Sequence, residues 1–286
     1  MPQRIFICVV LLLCVSIAQA KNDVVYKLSA GIEGVARYMP GEKTKPAIFI
    51  LHGFLTTNNF NTILSLGQML HENGYTVLAP TLTLGINRRD SGLACKAIHT
   101  NTVEDDVNEI ADWVNWLVKK GHKDIVLLGH SQGSLKQLVY AAERKNPKEV
   151  KLIISTSLSY IDAFIEESEK QQLITSARQA IKDKNNQPET YSVAYCKNDF
   201  IAPANVYLSL VRWDKELVIS AIDKVNTPLY VIMGGKDRYF DKPWQTQMQN
   251  TKAKVSIIDN ASHFFDGNEE FDYHDKILSI LDDNLF

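Results

Sequence analysis

The chain has little cysteine, only four residues in 286, and two of these, Cys8 and Cys14, fall inside an apolar N-terminal stretch. The other two, Cys95 and Cys196, have no metal-site spacing, and no other zinc pattern occurs, so neither a metal nor a cofactor is expected. An excess of charge of one sign is also missing. Lys and Arg number 31 against 33 Asp and Glu, a net charge of −2. That balance gives no electrostatic case for nucleic acid or for an anionic membrane surface. Internal repeats, charge blocks and low-complexity tracts are absent, which excludes solenoids and disordered interaction tails. Long apolar runs are absent after residue 20, so no stable membrane span is expected in the mature chain.

The apolar run near the start has its own reading. Arg4 supplies a positive end, Ile5 to Ile17 an apolar segment short for a membrane span, and Ala18-Gln19-Ala20 a small-x-small cleavage pattern. Residues 1–20 therefore read as a signal peptide and the mature protein as exported, periplasmic or extracellular; a retained anchor is the alternative. Export leaves Cys95 and Cys196 as an even pair in an oxidising compartment. One disulfide closing a long loop is expected, with two free buried thiols as its rival.

At the centre of the chain, Ile125 to Leu128 is a continuous branched apolar run, as expected of a strand buried on both faces of a parallel sheet. It runs into Gly129-His130-Ser131-Gln132-Gly133, which fits G-x-S-x-G, and then into a helical pattern at Leu135, Leu138, Val139 and Ala142. Strand, tight turn and helix are the context in which that motif lifts a serine hydroxyl clear of a sheet, with Gly129 and Gly133 allowing the close approach. Two later strands end near acid and base. Pro228 to Met233 precedes Gly234-Gly235-Lys236-Asp237, and Val255 to Ile258 precedes Asp259-Asn260-Ala261-Ser262-His263. Asp241 is an alternative acid. His71, His99, His122 and His274 compete with His263, but only His263 follows a strand at the right place.

The order Ser131, Asp237, His263 resembles that of the α/β-hydrolase superfamily, and the resemblance covers most of the chain after residue 24. It implies an α/β fold with a mostly parallel sheet flanked by helices, a core of residues 21–156 and 223–286, and an inserted, mainly helical lid at 157–222. It implies that Ser131 is the nucleophile, His263 the base and Asp237 the orienting acid. In His52-Gly53-Phe54, after the apolar run Ala47 to Leu51, it makes the Phe54 N–H one oxyanion donor and the Gln132 N–H the other, with Gly53 admitting the substrate carbonyl. His52 reads as structural. A serine at the elbow argues against the superfamily's haloalkane dehalogenases and epoxide hydrolases, which use aspartate there. Hydrolysis of a small-molecule acyl substrate, a carboxylic ester, is the expected reaction. A thioesterase, amidase or carbon–carbon hydrolase would use the same residues, and a non-catalytic binding protein would share the fold. The charged Glu166-Glu167-Ser168-Glu169-Lys170 run argues against a lipase surface.

Elsewhere the pattern is plainer. Asn58–Asn73 and Thr102 onward read as helices, the second with Asp105 completing a capping box. Thr81 to Thr100 reads as a long site-shaping loop, in which Arg88 and Arg89 read as a solvated surface pair rather than a reader of acidic substrate. Trp113 and Trp116 read as packing residues. The aromatics from Tyr191 to Trp213 fall in an irregular region, lining a pocket or forming the lid's own core. Glu269 to Leu285 reads as a closing helix with Phe271, Ile277, Ile280 and Leu281 inward.

Overall fold

A computed structural model describes residues 23–144, 146–240 and 242–285. The expected signal peptide, Cys8, Cys14 and the alternative acid Asp241 lie outside the described residues. Two strands open the chain, β1 (Asp23–Lys27) and β2 (Glu33–Met39), followed by the core strand β3 (Ala47–Leu51). Helix α1 (Asn61–Glu72), strand β4 (Thr76–Thr81), helix α2 (Val103–Lys119), strand β5 (Ile125–His130), helix α3 (Gln132–Glu143) and strand β6 (Val150–Thr156) then alternate. After a further run of helices and one hairpin come β9 (Leu229–Gly234), α7 (Lys242–Gln249), β10 (Lys254–Ile258) and α8 (Glu269–Leu285).

The eight strands form one sheet in the order β1-β2-β4-β3-β5-β6-β9-β10, in which β2 alone runs antiparallel to its neighbours. The inner strands are apolar on both faces because both faces are covered. Phe49, Leu51, Leu127 and Ile153 pack toward α2 and α3, while Ile48, Ile50, Val126 and Ile154 pack toward α1 and α8. This is the period of two that a pleated strand imposes. Edge strand β1, covered on one side only, alternates exposed and half-buried residues. The capping box of α2 is present: Thr102 accepts from the Asp105 N–H and the Asp105 carboxylate accepts from the Thr102 N–H. From β3 the chain moves outward to β4, then crosses back to β5 on the far side of β3. Such a reversal opens a crevice at the carboxyl ends of the strands, where ligands of open α/β sheets bind.

Between β6 and β9 lie α4 (Glu167–Lys182), β7 (Glu189–Val193), β8 (Cys196–Ala202), α5 (Ala204–Val211) and α6 (Lys215–Lys224). The stretch expected to be irregular is an antiparallel hairpin of β7 and β8, turning at Ala194 and Tyr195. Tyr191, Val193, Phe200 and Ala202 of the hairpin are buried, and Tyr191 stacks on Tyr207 of α5. Helix α6 docks on α3. A second difference lies in α8, where Phe271 is 74% exposed and Tyr273 is buried in its stead. Tyr273, Ile277, Ile280 and Leu281 share one stripe, whereas Phe271 lies two residues, roughly 200°, away around the helix. Trp113 and Trp116 are buried packing residues, as expected.

Cys95 and Cys196 are joined in a disulfide, with Cα atoms 5.6 Å apart. It ties the tip of the β7–β8 hairpin to the loop after β4. The same junction carries a hydrogen bond from the His99 N–H to the Ile201 carbonyl at 2.8 Å and a stacked His99–Phe200 ring pair. Among the described residues, no helix is long and apolar enough to cross a membrane. Because the disulfide spans 101 residues, its removal frees a long loop in the unfolded chain. The double variant Cys95→Ser/Cys196→Ser should be less stable by about 2–4 kcal/mol, read as a lower denaturant midpoint than the oxidised protein; an unchanged midpoint would contradict the tether.

Candidate active site

The strand β5 delivers Ser131 to the start of α3 in a conformation few side-chain-bearing residues adopt, with φ 55° and ψ −123°. The turn is possible because its flanks are bare. A Cβ on Gly129 would lie 2.5 Å from the Ser134 nitrogen, and one on Gly133 would lie 2.4 Å from the Leu51 carbonyl oxygen. Hydrogen bonds then clamp it to β6: the Ser131 N–H donates to the Thr156 carbonyl at 2.8 Å. The buried Ser134 hydroxyl bridges the Gly129 and Thr156 carbonyls at 2.6 and 2.9 Å.

The turns after β9 and β10 meet this elbow. His263 Nε2 lies 2.9 Å from Ser131 Oγ, and His263 Nδ1 lies 2.7 Å from Asp237 Oδ2. The other Asp237 oxygen accepts the Tyr239 N–H at 2.8 Å, and the carboxylate is buried. Gly234 lets the two turns touch, since a Cβ there would sit 2.5 Å from the carbonyl oxygens of Ala261 and Ser262. The Ser157 hydroxyl donates to the His263 carbonyl at 2.7 Å and holds the backbone of the histidine turn. Residues separated by 132 and 26 positions thus form one continuous chain of contacts.

The turn after β3 closes the remaining side, with the Gly53 backbone beside Ser131. His52 is buried and structural. Its Nε2 accepts the Leu82 N–H at 3.0 Å, so the proton sits on Nδ1, which donates to the Gly53 carbonyl at 2.8 Å. The Thr56 hydroxyl donates to the same oxygen. A trans peptide carries its C=O and N–H on opposite sides, so anchoring the Gly53 carbonyl directs the Phe54 N–H away from His52. The Gln132 N–H stands at the first position of α3, where the helix supplies no acceptor.

A sequence model of the alpha/beta hydrolase fold matches residues 46–189, half of the chain. The chain belongs to the α/β-hydrolase family. Solved structures agree on the fold. The alpha/beta hydrolase GrgF from Penicillium sp. superposes with a TM-score of 0.69 at 16% identity, over 92% of this chain and 98% of that one. Est1E from Butyrivibrio proteoclasticus gives 0.62 at 17%, over 91% and 98%. An esterase from Pyrococcus furiosus gives 0.61 at 14%, over 92% and 91%. No curated protein matches the sequence.

In this α/β hydrolase the elbow serine opens into a cavity of about 360 Å³, lined by residues that follow nearly every strand end on the crevice side. His130 packs beneath it, its ring 5.3 Å from that of His263. Burial, and then the charge of His263, hold His130 well below its ordinary pKa. The pattern of the sequence did not single out His130, because in G-x-S-x-G its position is variable.

Arg88 and Arg89 separate. Arg88 is exposed and paired with Glu33. Arg89 is not a surface residue: it is buried at 3% exposure, with its guanidinium donating to the carbonyls of Leu82, Ser91 and Thr56. Three loop carbonyls that no secondary structure satisfies explain why a guanidinium is drawn inside, since Arg offers five fixed donors. Burial lowers its pKa to about 10, and the charges of Glu109 and Asp106 act against that. Glu109 in turn accepts from the Thr83 N–H and hydroxyl, and burial raises its pKa to about 7.

Burial, followed by the charge of Arg89, holds the His52 pKa down to about 3, from an ordinary 6.5. The unfolded chain therefore takes up a proton here near pH 6.5 while the folded one does not. This contribution to stability is complete above pH 6.5 and is lost as pH falls toward 3. The stability advantage of the wild type over His52→Asn should accordingly shrink by about 2 kcal/mol between pH 6.5 and pH 4.5. Denaturant titrations at the two pH values check this; a gap that is constant or widens would contradict a buried neutral imidazole.

Proposed function

We propose that the protein is a serine hydrolase that cleaves a carboxylic ester through an acyl-enzyme. The reading rests chiefly on one observation, the unbroken contact from Ser131 Oγ through His263 to Asp237, at 2.9 and 2.7 Å. A serine hydroxyl attacks a carbonyl at neutral pH only if a base takes its proton as the bond forms. His263 Nε2 is that base. Asp237, on Nδ1, selects the tautomer that leaves Nε2 free to accept, and stabilises the imidazolium that forms. The proton then passes from Nε2 to the leaving alcohol. Water, deprotonated by the same nitrogen, attacks the acyl-enzyme and releases the acid.

The developing negative charge on the substrate oxygen falls to the N–H groups of Phe54 and Gln132. Each such donor contributes about 3–4 kcal/mol in other serine hydrolases. The bond network around His52, Thr56 and Gly53 supports this role, because a donor fixed before the reaction needs no reorganisation during it. Residues 157–222 act as a lid over the crevice, and the disulfide holds its hairpin in place. A disulfide also supports export to an oxidising compartment by the signal peptide at residues 1–20.

Labelling with a fluorophosphonate, followed by turnover of p-nitrophenyl esters, tests the reading. Ser131→Ala should abolish labelling. In Ser131→Ala, His263→Ala and Asp237→Asn, kcat should fall by about 10⁴-fold or more. Labelling that persists in Ser131→Ala would remove the nucleophile. Labelling of Ser131 without ester turnover would move the reaction to thioesters, amides or carbon–carbon bonds.

A further inference from the structure

The walls of the cavity carry a chemical preference that the triad does not. Aromatic rings follow the site residues directly along the chain: Phe54 in the turn after β3, Tyr239 and Phe240 just after Asp237, and Phe264 next to His263. Tyr160 and Phe164 from the stretch after β6, and Tyr195 from the hairpin tip, complete the wall. These rings meet edge to face. Phe164 and Tyr239 cross at 87° with centroids 5.3 Å apart, Phe54 and Tyr195 at 79° and 5.5 Å, and Tyr160 and Phe240 at 64° and 5.6 Å.

What does not line the cavity is equally informative. Among the described residues no Asp, Glu, Lys or Arg lines it, and neither does any Leu, Ile, Val or Met; Ala194 is the one aliphatic wall residue. Its polar side chains are engaged with protein groups. The Gln132 amide donates to the Ser159 hydroxyl at 2.8 Å, the Thr56 hydroxyl to the Gly53 carbonyl, and the Tyr195 hydroxyl to the Phe54 carbonyl at 3.3 Å. The Tyr239 hydroxyl accepts from Arg238. A charged substrate group would lose its water here with no carboxylate, ammonium or guanidinium in the wall to take its place. A flexible alkyl chain would gain area burial alone, whereas an aromatic ring also gains edge-to-face contacts with walls that present both.

We infer that the substrate of this site is an uncharged molecule bearing an aromatic ring, which lies in the ring-walled cavity while its carbonyl sits on Ser131. The inference rests on the proposed serine hydrolase and adds the class of molecule it accepts. The space of about 360 Å³ lies at the small end for ligand pockets and suits one ring and its linker.

Boronic acids test the class apart from the bond cleaved. Ser131 Oγ adds to the trigonal boron with its proton passing to His263, and the organic group is free to take any part of the cavity. Three compounds are compared as competitors of fluorophosphonate labelling of the full chain: 2-phenylethylboronic acid, 2-cyclohexylethylboronic acid, and the phenyl compound with a para carboxylate. Their boron centres are electronically alike, so differences report the walls. The phenyl compound should protect at a concentration roughly tenfold lower than the cyclohexyl compound, and the carboxylate should protect roughly a hundredfold less well than phenyl. Phe164→Leu and Tyr239→Leu should each bring the phenyl-to-cyclohexyl ratio toward one. Equal protection by phenyl and cyclohexyl, or full protection by the carboxylate, would overturn the substrate class while leaving the hydrolase intact. Absence of labelling at Ser131 would instead overturn the hydrolase reading, and this inference with it.

Discussion

The strained turn at Ser131 is the constraint on which the site depends. A non-glycine residue held at φ 55° and ψ −123° costs on the order of 1–3 kcal/mol, and such a conformation persists only where its surroundings over-determine it. Those surroundings are the two glycines that let β5, α3 and the end of β3 come into contact, together with the Ser134 and Thr156 bonds to the strand beside it. The elbow ends β5 and places the Gln132 N–H at the first position of α3, where the helix supplies no acceptor. In the proposed reaction, nucleophile and anion donor are thus two results of one backbone conformation.

Around the elbow, the chain brings each remaining part on its own strand end. The turns after β9 and β10 carry Asp237 and His263 and are locked together at Gly234. The turn after β3 carries Phe54, and beneath it a buried polar layer of His52, Arg89 and Glu109 holds loop carbonyls and amides that have no secondary-structure partner. Burying these groups is costly, so each must be hydrogen-bonded, and satisfied networks of this kind stiffen what they touch. Above the crevice the β7–β8 hairpin is stitched to the loop after β4 by a disulfide, a backbone bond and a ring stack. The wall carrying Tyr195 is consequently part of the core's framework rather than a free flap.

Much of this was legible along the chain, for reasons that differ by element. The inner strands were readable because burial on both faces writes a continuous apolar run, and the elbow because its geometry admits so few residues at 129 and 133. That His263 and Asp237 would come together beside Ser131 was readable from their place after strands. Where the expectation failed, the deciding contact lay far away in sequence. Arg89 looks like half of a solvated pair until the carbonyls of Leu82, Ser91 and Thr56 converge on it. The β7–β8 hairpin looks irregular because its turn has no glycine or Asn-Gly signal, only Ala194 at φ 50° and Tyr195. Phe271 looks inward by hydrophobicity, and only the phase set by Tyr273 and Ile277 turns it to solvent. The aromatic character of the cavity could not be read from single residues, since its rings come from separate loops that meet only in the fold.

The claim that one backbone elbow supplies both nucleophile and anion donor can be observed directly in a crystal structure of the protein after reaction with an aryl phosphonate. The account predicts phosphorus bonded to Ser131 Oγ, with its anionic oxygen at roughly 2.7–3.1 Å from the nitrogens of both Phe54 and Gln132. An adduct on a different residue, or a Ser131 adduct whose oxygen points away from both amides into solvent, would contradict it.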